Sequence, residues 1–177
     1  MDTRLSICLV SAEEIDRDLP QLGEMLQAVV HDGASIGFVL PFGEAEATRF
    51  WTEKVKPDVV GKARLLFVAR SGDRIAGSVQ LVHGMPANQP HRVEVNKLMV
   101  HPGFRRKGIA KALMTALEQA ARDMGRTLIT LDTRTGDKAE PLYTALGYKT
   151  VGTIPNFCRD TADAGRLDPT TIMYKEI

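Results

Sequence analysis

At 177 residues, with 44% apolar and 25% charged side chains, the chain suits one globular domain with a full core, spanning residues 1–177. Its 23 basic residues nearly balance 22 acidic ones, for a formal net charge of +1, which excludes a general nucleic-acid binder and a membrane-surface protein. Two cysteines, Cys8 and Cys158, are too few for a disulfide framework and lack metal-ligand spacing.

The opening Met1-Asp2-Thr3-Arg4 leads into mixed polar sequence without the apolar stretch of a secretion signal. The uncharged, glycine-rich run 33–43 is too short to cross a bilayer, so a cytoplasmic protein is expected. Residues 5–10 alternate as a first strand, and Ser11 is placed to cap the next element. Leu19, Leu22, Leu26 and Val29/Val30 recur at helical spacing, and Asp18 with Pro20 suits a helix start, which predicts a helix over 19–30. A glycine-rich piece, 32–43, separates it from a second helical pattern over 44–55 through Ala47, Phe50, Trp51 and Val55; this connection is a candidate substrate loop.

Residues 63–69 and 74–82 read as strands of a hairpin turning at Ser71-Gly72-Asp73. A strand over 93–100, a helix over 108–124 and a strand over 127–132 then form a strand–helix–strand unit. Ile109, Leu113, Ala116/Leu117, Ala120 and Met124 line one helix face, suited to a right-handed crossover on the sheet. A short helix over 140–146, with Pro141 in its first turn and Gly147 at its end, precedes two last strands at 148–151 and 170–174. The mixed-charge stretch between them, 155–169, reads as a loop.

The chemistry concentrates after the 93–100 strand, where Arg105, Arg106 and Lys107 precede Gly108 at a helix start. Unpaired N–H groups, partial positive charge and three cations together make a cradle for a diphosphate. From Val95 to Leu117 the charged residues are Lys97, Arg105, Arg106, Lys107 and Lys111, all basic, which favours a polyanion over a merely solvated face. The spacing fits neither the nucleotide-hydrolase loop G-x-x-x-x-G-K-[ST] nor the three-glycine dinucleotide fingerprint.

The order Arg105-x-x-Gly108-x-Ala110 after a strand resembles motif A of the GNAT superfamily of N-acetyltransferases. Leu142-Tyr143-x-x-Leu146-Gly147-Tyr148 resembles that family's Leu-Tyr-x-x-x-Gly-Phe/Tyr segment. The resemblance implies an α/β (α+β) fold: a mixed, largely antiparallel sheet of about seven strands flanked by helices, with a V-shaped splay between strands four and five. It implies acetyl-CoA as cosubstrate, with Arg105, Arg106, Lys107, Gly108, Ile109, Ala110 and Lys111 around the diphosphate. The backbone of Leu98, Met99 and Val100 would pair with the pantetheine arm. Many family members carry an Asn before the short helix; here Asp137 stands in that neighbourhood, and it either takes over the cofactor contact or leaves none. The segment 136–143 and the closing stretch also resemble the toxin-resistance branch of the family, which acetylates a β-lactam amino acid. That likeness implies a small toxin or antibiotic amine as acceptor.

Acyl transfer to an amine that is largely protonated at neutral pH needs a base, and the departing thiolate needs a proton. Glu94 matches the base position of several protein-acetylating members; its alternative is a strand-edge carboxylate paired with Lys97 or Arg92. Asp132 at the end of strand five is the competing base, or else a turn residue before Thr133. Tyr143 matches the family tyrosine near the cofactor sulfur, a proton donor rather than a packing residue. His31, His83, His91 and His101 lack paired ligand spacing, so no metal is expected. Phe38, Phe42 and Trp51 suit a substrate wall, although Phe50 and Trp51 are expected in the core. Two rivals stay open: a protein-lysine or N-terminal acetyltransferase, and a non-catalytic acyl-CoA-binding module. Family members often dimerise through their last strands, which makes a homodimer possible.

Overall fold

The computed structural model describes residues 5–177, so the leader reading at residues 1–4 lies outside the described residues. Seven strands form one sheet in the order β1-β2-β3-β4-β5-β7-β6. They are β1 (Leu5–Leu9), β2 (Arg64–Ser71), β3 (Arg74–Val82), β4 (Arg92–Val100), β5 (Leu128–Arg134), β6 (Lys149–Arg159) and β7 (Leu167–Glu176). Every neighbouring pair is antiparallel except β4 with β5. The expected mixed, largely antiparallel sheet is therefore present.

Helices cover both faces. On one lie α1 (Ile15–His31), α2 (Glu44–Arg49), a π-helical stretch (Phe50–Val55) and α3 (Lys56–Val60); on the other lies α4 (Ile109–Asp123). Because β2 is sandwiched, its side chains alternate between two cores: Phe67 and Ala69 face α4, while Leu66 and Val68 join Leu22, Leu26 and Trp51. That explains an apolar run without polar interruption. The fully buried Leu113 anchors the α4 side, where truncation to Ala would cost about 2–5 kcal/mol. Trp51 is also fully buried and donates its indole N–H to the Leu22 carbonyl at 2.9 Å, a core residue as expected.

Two expectations need correction. Helix α1 begins at Ile15, with Pro20 inside it. The start is set by a reciprocal pair in which the Ser11 N–H donates to the Glu14 carboxylate at 3.2 Å and the Glu14 N–H donates to the Ser11 hydroxyl at 3.3 Å. The stretch 155–169 is not one loop, since β6 runs to Arg159 and β7 starts at Leu167. As an edge strand β6 is exposed along nearly its whole length, and two register shifts around Gly152 and Asn156 break its alternation, so no apolar period marks it. The charges of the remaining turn tie the hairpin: the Asp160 carboxylate accepts from the Ala162 and Asp163 N–H groups at 2.9 and 2.7 Å, and Arg166 pairs with Asp160 and Asp168. Among the described residues, no helix is long and apolar enough to cross a membrane.

Candidate active site

The parallel β4–β5 ladder holds only Arg92, Val93 and Glu94 against Leu128, Ile129 and Thr130. Beyond it the strands part. A bulge makes the divergence: opposite β3 the register slips between Ser78 and Gln80, and Lys97 takes a left-handed conformation at φ 51°. Val93 and Val95 face the α4 core, but the next residue to do so is Leu98, a three-residue step in place of two. The opened wedge is a cleft of about 810 Å³ lined by 95–100 on one side, 132–134 on the other, the 32–37 loop and the start of α4.

At that helix start Gly108 is left-handed at φ 75°, and Arg106 also has a positive φ of 62°. The Ala112 N–H donates to the Gly108 carbonyl at 3.0 Å, so the N–H groups before it have no carbonyl of α4 to bond. Arg105, Arg106, Gly108, Ile109, Ala110 and Lys111 line the cleft. Lys107 does not; its ammonium sits 5.3 Å from the Phe104 ring centroid. Arg105 is held by Asp32 at 2.5 Å, tying the cradle to the end of the first helix. These exposed cations and free N–H groups fit a diphosphate.

The model of the acetyltransferase (GNAT) family matches residues 23–148. This chain belongs to that family. An uncharacterized N-acetyltransferase from the hisH-hisA intergenic region of Azospirillum brasilense is 33% identical over 138 residues, 75% of this chain and 80% of that protein. Human N-acetyltransferase 8 is 36% identical over 91 residues, and the match spans only 39% of its length. Among solved structures, yncA from Salmonella typhimurium, determined with acetyl-CoA, shares the fold at TM-score 0.76 and 17% identity over 97% of this chain and 93% of that one. A ribosomal-protein-alanine N-acetyltransferase from Brucella melitensis does so at TM-score 0.78 and 18% identity over 97% and 99%.

In this acetyltransferase, Tyr143 comes from α5 (Ala139–Ala145), is 5% exposed and lines the cleft, its ring packed edge-on against Tyr148 at 5.7 Å. Burial, and then the charges of Asp132 and Asp137, raise its phenol above the ordinary value. Asp132 is exposed in the same cleft, and one of its oxygens, at 3.1 Å, shares the Thr170 hydroxyl proton with the Thr133 carbonyl at 3.0 Å. Glu94 is not among the cleft residues: its carboxylate lies 3.3 Å from Arg92, which also donates to the Thr130 hydroxyl at 2.7 Å. The partner is Arg92, not Lys97.

Asp137 reaches the cleft already engaged, pairing with Arg134 at 3.2 Å and accepting the Lys138 N–H at 2.7 Å. Arg134 in turn meets Asp160 and Asp168 at 3.3 and 3.5 Å, so the turn of the last hairpin braces the wall. Sequence reasoning gave Thr170 and Arg134 no role at the site, and Lys97 only a share in the basic excess and an alternative pairing with Glu94. Lys97 carried a signal: it is the one charge inside the otherwise uncharged 95–100 segment. Among the described residues, no cluster of His, Cys, Asp and Glu is arranged to hold a metal ion.

Proposed function

We propose that the protein transfers the acetyl group of acetyl-CoA directly to the amine of a small molecule, with a toxin or antibiotic such as the β-lactam amino acid tabtoxinine as the specific candidate. The observation that carries the reading is the parting of β4 and β5 into a cleft that brings a basic helix start together with Asp132 and Tyr143. The candidate acceptor rests on the likeness of segment 136–143 and the closing stretch to the toxin-resistance branch.

When bound, acetyl-CoA supplies an activated acyl carbon. The N–H groups opening α4, with Arg105, Arg106 and Lys111, hold the diphosphate. Past Glu94, β4 has no β5 partner, which leaves backbone of Leu98, Met99 and Val100 to pair with an extended arm and one N–H to polarise the carbonyl. Asp132 accepts the amine proton, directly or through water; Thr170 engages one oxygen and leaves the other free. Tyr143, its phenol raised by burial and two carboxylates, keeps its own proton and donates a hydrogen bond to the departing sulfur, which leaves as the thiolate and takes its proton from water. Full transfer to a thiolate, whose conjugate thiol has a pKa of about 8.5, would run uphill from any phenol above about 10. Asp137 acts through Arg134 on the shape of the wall. Two free thiols suit a reducing cytoplasm, and the exposed β6 edge, with Val151 67% and Phe157 50% exposed, suits pairing with a second copy.

Thiol release from acetyl-CoA, followed with amino acids, β-lactam amino acids, polyamines and lysine peptides, tests the reading. Acceptor-dependent release with a small amino acid supports it. Release with peptides alone would move the function to protein acetylation, and acetyl-CoA binding without release for any acceptor would refute catalysis.

A further inference from the structure

We propose that Lys97 is the specificity residue of the acceptor pocket: its ammonium receives the carboxylate of a free amino acid whose amine faces Asp132. The assignment deepens the small-amine reading above and rests on it.

The bulge places Lys97 where an ordinary strand residue would not stand. A non-glycine residue held at φ 51° is in the left-handed region that side chains rarely adopt. The side chain then crosses to the 32–43 loop, its Nζ 5.6 Å from the Phe38 ring centroid and 6.0 Å from that of Phe50. So close is the loop backbone that a Cβ on Gly37 would lie 3.1 Å from Nζ. Phe50, expected in the core, is thus half-buried with Lys97 near its ring. Phe38 and Phe50 pack edge to face at 5.2 Å, which makes the ammonium's surroundings aromatic on that side.

Among the described residues the cleft has six basic ones, and their circumstances differ. Arg105 and Arg134 are ion-paired, while Arg106, Lys111 and Lys138 are exposed to solvent. Lys97 alone is half-buried with no carboxylate of the described residues within 4.0 Å. Burial lowers its pKa below the ordinary lysine value, Asp132 acts in the opposite direction and Arg64 in the same one. A half-buried cation facing a cleft and lacking a protein anion is complementary to an anionic ligand group. Asp132, which lines the same cleft from β5, supplies the complementary charge for an ammonium. Plus beside minus, across one cleft, matches an amino-acid zwitterion. The same pair disfavours a polyamine or a lysine side chain in a peptide, which would bring a cation and no carboxylate to Lys97.

The test compares kcat/KM for the twenty free L-amino acids, a β-lactam amino acid and the matching carboxamides, in wild type and Lys97→Met. Acetyl-CoA affinity and Tm are measured in parallel. A lost charge-assisted hydrogen bond corresponds to about 10- to 100-fold. The expected result is a wild-type preference of that size for acids over amides. In Lys97→Met it collapses through the KM of the acids alone, with amide rates, acetyl-CoA affinity and melting retained. Equal wild-type rates on acids and amides, or equal loss on both in Lys97→Met, overturns the assignment and leaves the acetyltransferase reading standing. A loss confined to kcat for both makes Lys97 a proton-transfer group and also overturns it. Absence of turnover on every acceptor by the wild type refutes the small-amine reading and this one with it.

Discussion

Gly77 lies in mid-β3, paired with Ala69 on β2 and Val100 on β4, and it is the sharpest place to ask whether the splayed strand is positioned by packing. A Cβ built there would stand 2.7 Å from the Met99 carbonyl oxygen, 3.0 Å from Ile109 Cγ2 and 3.3 Å from Leu113 Cδ1. The first contact is backbone of the segment proposed to meet the pantetheine arm, and the second is the first residue of α4. Neither can swing aside like a flexible side chain. Overpacking of this kind costs about 1–3 kcal/mol. At about 2–4 °C per kcal/mol for a chain of this size, Gly77→Ala should lower Tm by roughly 2–12 °C. Because strand and cradle are displaced together, the KM for acetyl-CoA should rise several-fold even where the protein remains folded. Gly152→Ala is the control, since it has an ordinary φ and nothing within 4 Å of its would-be Cβ. It should stay within about 0.5 kcal/mol of wild type. Scanning calorimetry and acetyl-CoA titration at 25 °C decide the matter. A Gly77→Ala protein with wild-type Tm and KM, or a Gly152→Ala protein that falls as far, would show that the close approach does not position β4.

Tyr143→Phe keeps the edge-on contact with Tyr148 and removes only the hydroxyl, so kcat should drop about 10- to 100-fold while acetyl-CoA binding by calorimetry is unchanged. Asp132→Asn should cost about 100-fold or more in kcat, whereas Glu94→Gln, held outside the cleft by Arg92, should leave steady-state rates near wild type; the opposite ranking would move the base to Glu94. Arg105→Ala should raise the KM for acetyl-CoA, and more so at low salt, while Asp32→Asn, by releasing Arg105 from its ion pair, should lower it; a common direction for both would sink the cradle assignment. The N–H groups of Asp163 and Ala162 hold the Asp160 carboxyl below the usual range, so its contribution to stability is present above about pH 4 and is lost as pH falls through the folded value. In melts from pH 7 to pH 2.5 the wild-type advantage over Asp160→Asn should therefore shrink, and a constant gap would refute the linkage.

Legibility in the sequence tracks physical range. From Arg64 to Ala145 the strands and helices fall within two residues of their sequence-read bounds, because buried β2 and β3, amphipathic α4 and the turn at Gly72 each carry their signal locally. The start of α1 is obscured by Pro20, a helix-start residue by preference that here sits inside the helix. The deciding signal is the Ser11-to-Glu14 pair, which lies ahead of the first expected turn. Strand β6 escapes sequence reading because an edge strand with exposed side chains and a left-handed Asn156 has no period to read.

The same distinction divides the two halves of the cleft. The proposed diphosphate cradle is one contiguous turn, 105–111, whose chemistry comes from helix geometry and adjacent cations, and a single stretch of sequence describes it. The proposed acceptor half joins Lys97, Asp132 and Thr170, with the Phe38 and Phe50 rings beside the Lys97 ammonium; these residues lie far apart in the chain and meet only through a bulge and a splay. No local pattern encodes that meeting. Its consequence is a separation of functions: substitutions in 105–111 should alter acetyl-CoA affinity alike for every acceptor. Changes at Lys97, Phe38 or Phe50 should reorder the acceptors while acetyl-CoA affinity stays put. Cofactor use and acceptor choice can then vary independently on one sheet, since only the backbone of β4 serves both.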